Sequence, residues 1–298
     1  MPRATYIFTV SHSPYQECTV GETVLRLCDD LYQASIEEAR LEAELLVAHV
    51  MGTGRAHLLA EWQRPISPTA LPLLAGLVER RLRREPLCYL VGWREFYGLR
   101  FAVRSGVLIP RPETETVVDA ALQLAAERYG NAPVVADVGC GCGAITVALA
   151  THLPQAQVYA IDSVRVALEV SEENFRRHGV EDRVTLLDGD LLDSLTEPVD
   201  IVVANLPYVR SGDFAAIQPE VLWEPREALD GGPDGLAVIR RMLDQIPGKV
   251  RPGGAILLEC DPRQAELLVS EVEERFPGCS SRVIQDMAHL DRVVEVLF

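Results

Sequence analysis

Between Gly21 and Arg84 the apolar residues recur at three- and four-residue steps, the spacing of helices that each bury one face. Val24, Leu25, Leu27, Cys28 and Leu31 predict a first helix, and Leu41, Leu45, Leu46 and His49–Val50 predict a second. Ser35 and Glu38 precede the second run as a capping-box signature, and Gly52 and Gly54 stop it. A third helix is expected after Ser67-Pro68, carrying Leu71, Leu74, Leu77 and Val78. Residues 1–86 therefore read as a small helical domain, with 1–20 an extension of no legible role. No catalytic motif falls within it, so its expected business is a partner rather than chemistry.

The pattern then changes. Trp93, Phe96 and Tyr97, then Gly98, then Leu99, Phe101 and Val103 are strand-forming residues around a turn glycine, which predicts a hairpin in a linker over 87–111. From 112 to 298 short apolar runs alternate with amphipathic stretches. Val134–Val138, Gln157–Ile161, Val184–Leu187, Ile201–Ala204 and Ala255–Glu259 suit buried parallel strands. Ala144–Leu153, Val164–His178 and Leu236–Ile246 suit the helices between them. The alternation predicts a doubly wound α/β sheet, which Ser281–Gln285 and Arg292–Phe298 close with a hairpin.

Composition narrows the partners. The 298 residues carry a net charge of −16, which argues against a protein held mainly by phosphate contacts. The densest basic cluster, Arg80, Arg81, Arg83 and Arg84, is flanked by Glu79 and Glu85 and reads as a solvated helix face. The seven cysteines are scattered rather than framed for disulfides, which predicts reduced thiols and a cytoplasmic protein. Cys140 and Cys142 lack a second Cys or His pair to complete a zinc site, so no metal is expected. No run approaches the roughly 20 apolar residues of a membrane helix, and Met1–Val20 is too polar for a signal peptide.

Candidate chemistry begins after Val134–Val138, where Asp137-Val138-Gly139-Cys140-Gly141-Cys142-Gly143 leads into a helix. Glycines there let the backbone turn sharply and approach a ligand. Asp162 lies 23 residues beyond Gly139, at the end of the next strand, where a carboxylate can accept hydrogen bonds from both ribose hydroxyls. Gly139-x-Gly141-x-x-Ala144 also fits a dinucleotide fingerprint, so the loop alone leaves a nicotinamide cofactor open. Three glycines at two-residue spacing, with Asp137 two residues ahead, favour S-adenosylmethionine. Asp190, in Gly189-Asp190-Leu191, is placed to meet an adenine.

The fourth strand ends in Asn205-Leu206-Pro207-Tyr208, at the sheet edge where ligands of such folds bind. A planar NH2 group is a poor nucleophile because its lone pair is delocalised. The Asn205 oxygen and the Leu206 carbonyl can each accept one of its N–H bonds and fix the nitrogen in line with a methyl donor. Pro207 holds Leu206 extended and aims that carbonyl, and the Tyr208 ring can pack on a flat target.

These residues carry a resemblance. Val107-Leu108-Ile109-Pro110-Arg111-Pro112-Glu113-Thr114-Glu115, the glycine loop and Asn205–Tyr208 closely resemble the release-factor glutamine methyltransferases. So do Glu95–Gly98, Glu224-Pro225, Ala228-Leu229, Gly231-Gly232, Asp234–Leu236, Pro252–Gly254 and Asp291–Val293, over about residues 21–298. The resemblance implies a Rossmann-like class I S-adenosylmethionine-dependent methyltransferase fold with a small helical N-terminal domain. It also implies methyl transfer to the glutamine amide of the Gly-Gly-Gln motif in peptide-chain release factors, leaving S-adenosylhomocysteine, with the helical domain docking the factor. Gly139, Cys140, Gly141, Cys142, Gly143, Asp162, Asp190, Leu191 and Asn205 are then the expected cofactor residues, and Asn205, Leu206, Pro207 and Tyr208 the expected catalytic ones. Arg111 and Glu113 would shape the wall of the site, or else support the hairpin as a salt-bridged element. The chain departs from the family pattern at Leu206, usually Pro, at Leu191, often aromatic, and at Glu259-Cys260-Asp261, where Glu-Ile-Gly is usual.

Other readings stand beside this one. Adenine presents a similar planar NH2, which makes a nucleic-acid adenine-N6 methyltransferase an alternative that the acidic charge disfavours. A non-catalytic cofactor-binding scaffold in translation would not need Asn205–Tyr208. A nicotinamide-dependent oxidoreductase would need a hydride-site acid that the sequence does not offer.

Overall fold

A computed structural model describes residues 18–298, which form two compact units divided between Val91 and Gly92. The first holds α1 (Val20–Gln33), α2 (Ala39–Val50), α3 (Arg55–Ala60), α4 (Leu71–Leu82) and α5 (Leu87–Val91). Its core takes most of the predicted apolar stripe, with Val24, Leu27, Leu31, Leu46, Leu74 and Val78 packed together, whereas Leu25 and His49 face solvent. Most of the segment expected as an extension lies outside the described residues, but Thr19 and Val20 belong to the bundle. Thr19 and Glu22 form the capping box of α1, the Thr19 N–H donating to Glu22 Oε2 at 2.8 Å. The box expected from Ser35 and Glu38 does not form. Glu38 itself occupies the N-cap of α2 without a side-chain bond, and Ser35 sits in a left-handed turn (φ 58°) whose carbonyl accepts from Arg84.

The arginine cluster is likewise engaged within the bundle. Arg80 pairs with Glu85, Arg81 with Glu42, and Arg83 with Glu79, while Arg84 donates to the carbonyls of Ala34 and Ser35. Arg81 is buried, so its pair with Glu42 ties α4 to α2.

The second unit opens with β1 (Trp93–Phe96) and β2 (Leu99–Ala102), an antiparallel hairpin turning through Tyr97 and Gly98 at φ 52° and 70°. Positive φ at both turn residues matches the right-handed twist of a two-residue hairpin. The Tyr97 N–H and hydroxyl donate to Glu115 and Asp119, which anchors the turn on α6 (Glu115–Arg128). The apolar pattern does not announce α6, half of whose six buried residues are alanine.

There follow β3 (Val134–Val138), α7 (Ala144–His152), β4 (Gln157–Asp162), α8 (Arg165–His178), β5 (Val184–Asp188) and β6 (Val199–Ala204). Then come α9 (Ala237–Gln245), β7 (Val250–Glu259), α10 (Ala265–Arg275), β8 (Ser280–Gln285) and β9 (Asp291–Leu297). The seven strands run in the order β5-β4-β3-β6-β7-β9-β8, parallel except where β9 meets its two neighbours. Side chains alternate across the sheet. Ala136 and Val138 join Ile239, Met242 and Leu243 of α9 and Leu268 and Val272 of α10, while Asp137 between them bonds Thr146 of α7. The chain winds outward from β3 to β5 and returns as β6 beside β3. That reversal opens a crevice at the carboxyl ends of β3 and β6. Among the described residues no helix is long and apolar enough to cross a membrane.

Candidate active site

At that crevice lies a cleft of roughly 310 Å3 within the α/β unit. Its floor is the turn after β3. Gly139, Gly141 and Gly143 take φ of 72°, 57° and 79°, a region L side chains rarely adopt. A Cβ on Gly141 would meet nothing within 4 Å, so the loop leaves room for a ligand there, whereas one on Gly143 would strike Phe175 and Ser171. Gly139, Cys140, Gly141 and Cys142 line the cleft, but Gly143 does not. Its place is the N-cap of α7, packed against α8. Burial raises both thiols, Cys142 to about 12 and Cys140 well above its usual value, so they offer apolar wall and not nucleophiles.

Asp162 closes the floor. Its Oδ2 accepts the Gly141 N–H and its Oδ1 the Val164 N–H, both at 2.9 Å, so the carboxylate shapes the glycine turn and still has lone pairs toward the cleft. Burial raises its pKa, and those backbone donors oppose the rise. Asp137 is fully buried and does not reach the cleft. Thr146 donates to it from its N–H and hydroxyl, at 3.0 and 2.6 Å, while desolvation pushes the carboxyl up to about 7. Asp190 and Leu191 line the far end. Asp190 pairs with Arg241, and Leu191 takes φ 60°, a strained backbone for a side chain of its kind.

The roof comes from two further segments. Gly106, Val107, Leu108, Pro110 and Thr114 stand on one side, and Pro225, Glu227 and Ala228 on the other. Glu224, buried, joins them: it accepts the Ile109 N–H at 2.9 Å and pairs with Arg111 at 2.5 Å. Arg111 is thus a salt-bridged support, and Glu113 is an exposed residue; neither lines the cleft.

Asn205, Leu206 and Pro207 line the cleft at the end of β6, facing the glycine turn. The Asn205 Nδ2 donates to Thr114 Oγ1 at 2.9 Å, which leaves Oδ1 as the end available to accept. The Leu206 side chain is buried in the core cluster and lies against Gly139. Tyr208 departs from expectation. It does not line the cleft, because its hydroxyl donates at 3.0 Å to the buried Glu259, and burial raises the phenol. Its carbonyl is held by Gln264 Nε2, which also binds the Asp234 carbonyl.

Glu259, at the end of β7, stands beside this site although the sequence pattern gave it no role there. Desolvation pushes it up to about 7 against hydrogen bonding from Thr114 and Tyr208. A carboxylate closing an apolar strand next to β6 was the available signal.

The site can be set beside known proteins. Residues 24–92 match the family model described as PrmC N-terminal domain, and residues 114–250 match the methyltransferase small domain. A release factor glutamine methyltransferase from Geobacter sulfurreducens is 41% identical over 266 residues, covering 89% of this chain and 91% of that one. One from Moorella thermoacetica is 40% identical, covering 92% and 95%. The human MTRF1L release factor glutamine methyltransferase is 36% identical, covering 80% and 75%. Likeness at this level spans both units. The chain belongs to the release factor glutamine methyltransferases.

Proposed function

We propose that this protein transfers a methyl group from S-adenosylmethionine to the side-chain amide nitrogen of the glutamine in the Gly-Gly-Gln motif of a peptide-chain release factor. The observation that carries the reading is the Asn205 amide, fixed by Thr114 with its oxygen left as an acceptor at the mouth of a glycine-floored cleft. The cleft suits the cofactor: Gly141 leaves open space beside a left-handed backbone, Asp162 offers lone pairs for ribose hydroxyls, and Asp190 and Leu191 flank the place of the adenine. When bound there, S-adenosylmethionine supplies an electrophilic methyl on a sulfonium and leaves as S-adenosylhomocysteine.

The protein's own contribution is orientation. Asn205 Oδ1 and the Leu206 carbonyl accept the two N–H bonds of the target amide, holding its nitrogen toward the methyl and favouring the lone pair it must develop. Apolar walls from Val107, Leu108 and Leu206 exclude water from the transfer. Tyr208 serves at one remove, through Glu259, rather than by stacking on the substrate. The partner is a protein, in keeping with an arginine cluster that is paired within the bundle and not displayed for phosphates. The place of action is the cytoplasm, where free thiols such as Cys28 and Cys279 stay reduced.

The direct test is to incubate the protein with labelled S-adenosylmethionine and either a release factor or RNA, then map the label. Label on the Gly-Gly-Gln glutamine is expected; label confined to an RNA adenine would overturn the reading. Asp162→Ala should weaken cofactor binding by about 1–3 kcal/mol, the scale of lost hydrogen bonds to a charged acceptor. Calorimetry with S-adenosylmethionine measures it, and unchanged affinity would remove Asp162 from the cofactor site. The helical unit is assigned to docking the factor. Deleting residues 1–91 should spare cofactor affinity and sharply lower turnover on the intact factor, because remote contacts position a large substrate. Equal turnover by a folded truncated protein would refute that role.

A further inference from the structure

An amide side chain has two ends of nearly the same shape and opposite character: the oxygen accepts hydrogen bonds and the nitrogen donates them. A target NH2 can be held only by the oxygen. If Asn205 turned over, its own hydrogens would face those of the substrate. Something in the protein must therefore choose the orientation. Asn205 Nδ2 lies 2.9 Å from Thr114 Oγ1, but a hydroxyl can donate as well as accept, so Thr114 alone does not decide.

The decision lies with whatever takes the Thr114 hydrogen. Behind Thr114 stands Glu259, with no solvent exposure, whose Oε1 accepts from Tyr208 at 3.0 Å. Its Oε2 is buried with no hydrogen-bond partner, and Thr114 is the neighbouring hydroxyl that holds the carboxyl's pKa down against burial. The charged or titratable groups acting on Glu259 are Tyr208, Arg292, Glu113 and Cys260. Tyr208 spends its hydrogen on Oε1. Arg292 is turned to Asp286 at 3.1 Å and to the Cys260 carbonyl at 3.5 Å. Glu113, a carboxylate, has no hydrogen to give when ionised, and the Cys260 thiol is a weak donor. Thr114 is the donor left for Oε2.

We propose that Thr114, seated against Glu259, is a positioning residue that fixes the Asn205 amide with its oxygen toward the target nitrogen. Above the value of about 7 to which desolvation pushes it, Glu259 is an ionised carboxylate that only accepts, so it draws the Thr114 hydrogen, and the lone pairs of Oγ1 are left to receive Asn205 Nδ2. The chain of bonds runs from Asn205 through Thr114 to Glu259, with Tyr208 holding the carboxylate from its other oxygen. The inference rests on reading Asn205 as the acceptor of the target amide.

The test is single-turnover methylation of a release factor at saturating S-adenosylmethionine. Thr114→Val keeps the shape and removes the hydroxyl; it should lower the rate about tenfold, the worth of one hydrogen bond in an active site. Thr114→Ser should restore most of that rate, and Thr114→Ala serves as a second hydroxyl-free variant should valine disturb the packing. Glu259→Gln, with Oε1 still accepting from Tyr208, puts an N–H donor where Oε2 stood and should lower the rate as Thr114→Val does. In an Asn205→Ala background Thr114→Val should cost less than about twofold more, because residues acting through one another are not additive. A merely structural Thr114 would multiply its effect onto Asn205→Ala, and that result overturns the proposal. So does a parent rate for Thr114→Val alongside a slow Asn205→Ala. A parent rate for Asn205→Ala removes the underlying reading together with the inference.

Discussion

Asn205→Ala should lower the rate of methyl transfer by roughly 10²-fold or more, the cost of one preorganised polar contact in an active site. The amide has no useful pKa, so Asn205 works through geometry and not as a base. Affinity for S-adenosylmethionine should change much less, because the cofactor's ribose and adenine are assigned to Asp162, Asp190 and Leu191. Single-turnover rates with the cofactor saturating separate the two effects, and a parent rate would sink the assignment. Leu206→Pro gives the contrast. The acceptor carbonyl survives that swap, so transfer should persist near the parent rate. The Leu206 side chain is buried in the core beside Gly139, however, so the variant should lose about 1–3 kcal/mol of stability. Sequence reasoning alone expects this change to be neutral; the burial of Leu206 separates its effect on folding from its effect on turnover.

Gly235→Ala should be as damaging from a greater distance. Gly235 has φ 82°, and a Cβ there would lie 2.2 Å from the Tyr208 carbonyl oxygen and 2.1 Å from Gln264 Nε2. Those two atoms are themselves hydrogen-bonded, and they pin the segment that follows Asn205. The added methyl must push the segment aside while the backbone strains. A stability loss of about 2–4 kcal/mol is expected from overpacking together with the left-handed conformation. Transfer should fall about 10²-fold, because a misplacement of about 1 Å is enough to spoil alignment. Gly212→Ala is the control: nothing lies within 4 Å of its Cβ and its φ is not positive. Thermal melts and single-turnover rates on both variants check this, and a Gly235→Ala protein that matches the control would refute the clamp.

What the sequence determined by itself was whatever depends on short-range pattern. The strand over Val134–Val138 was legible to the residue, because a five-residue apolar run ahead of a glycine turn has few other ways to fold. The hairpin at Tyr97-Gly98 and the helices after the glycine turn were legible for the same reason. The order of strands and helices led to the crevice between Gly139 and Asn205, since a doubly wound sheet opens where its winding reverses. Helix α6 escaped because half of the residues it buries are alanines, which weaken the periodic signal of Val117, Val118 and Leu124. The Ser35–Glu38 box was misread because its residues also fit a turn, and Arg84, 49 residues away in sequence, settles which one forms.

Only the tertiary structure decided which way the side chains of the site look. Tyr208 stands two residues beyond Leu206 and reads as part of the same cleft, yet the fold turns its hydroxyl to Glu259. Asp137 and Gly143 bracket the glycine loop but serve the start of α7. Thr114 meets Asn205 from 91 residues away in sequence, and Glu259 meets Tyr208 from 51. Hydrogen bonds of that kind leave no periodicity in a chain. A side chain's partner is chosen by whichever unsatisfied donor or acceptor the packing buries beside it, and that is settled only when the strands are laid side by side.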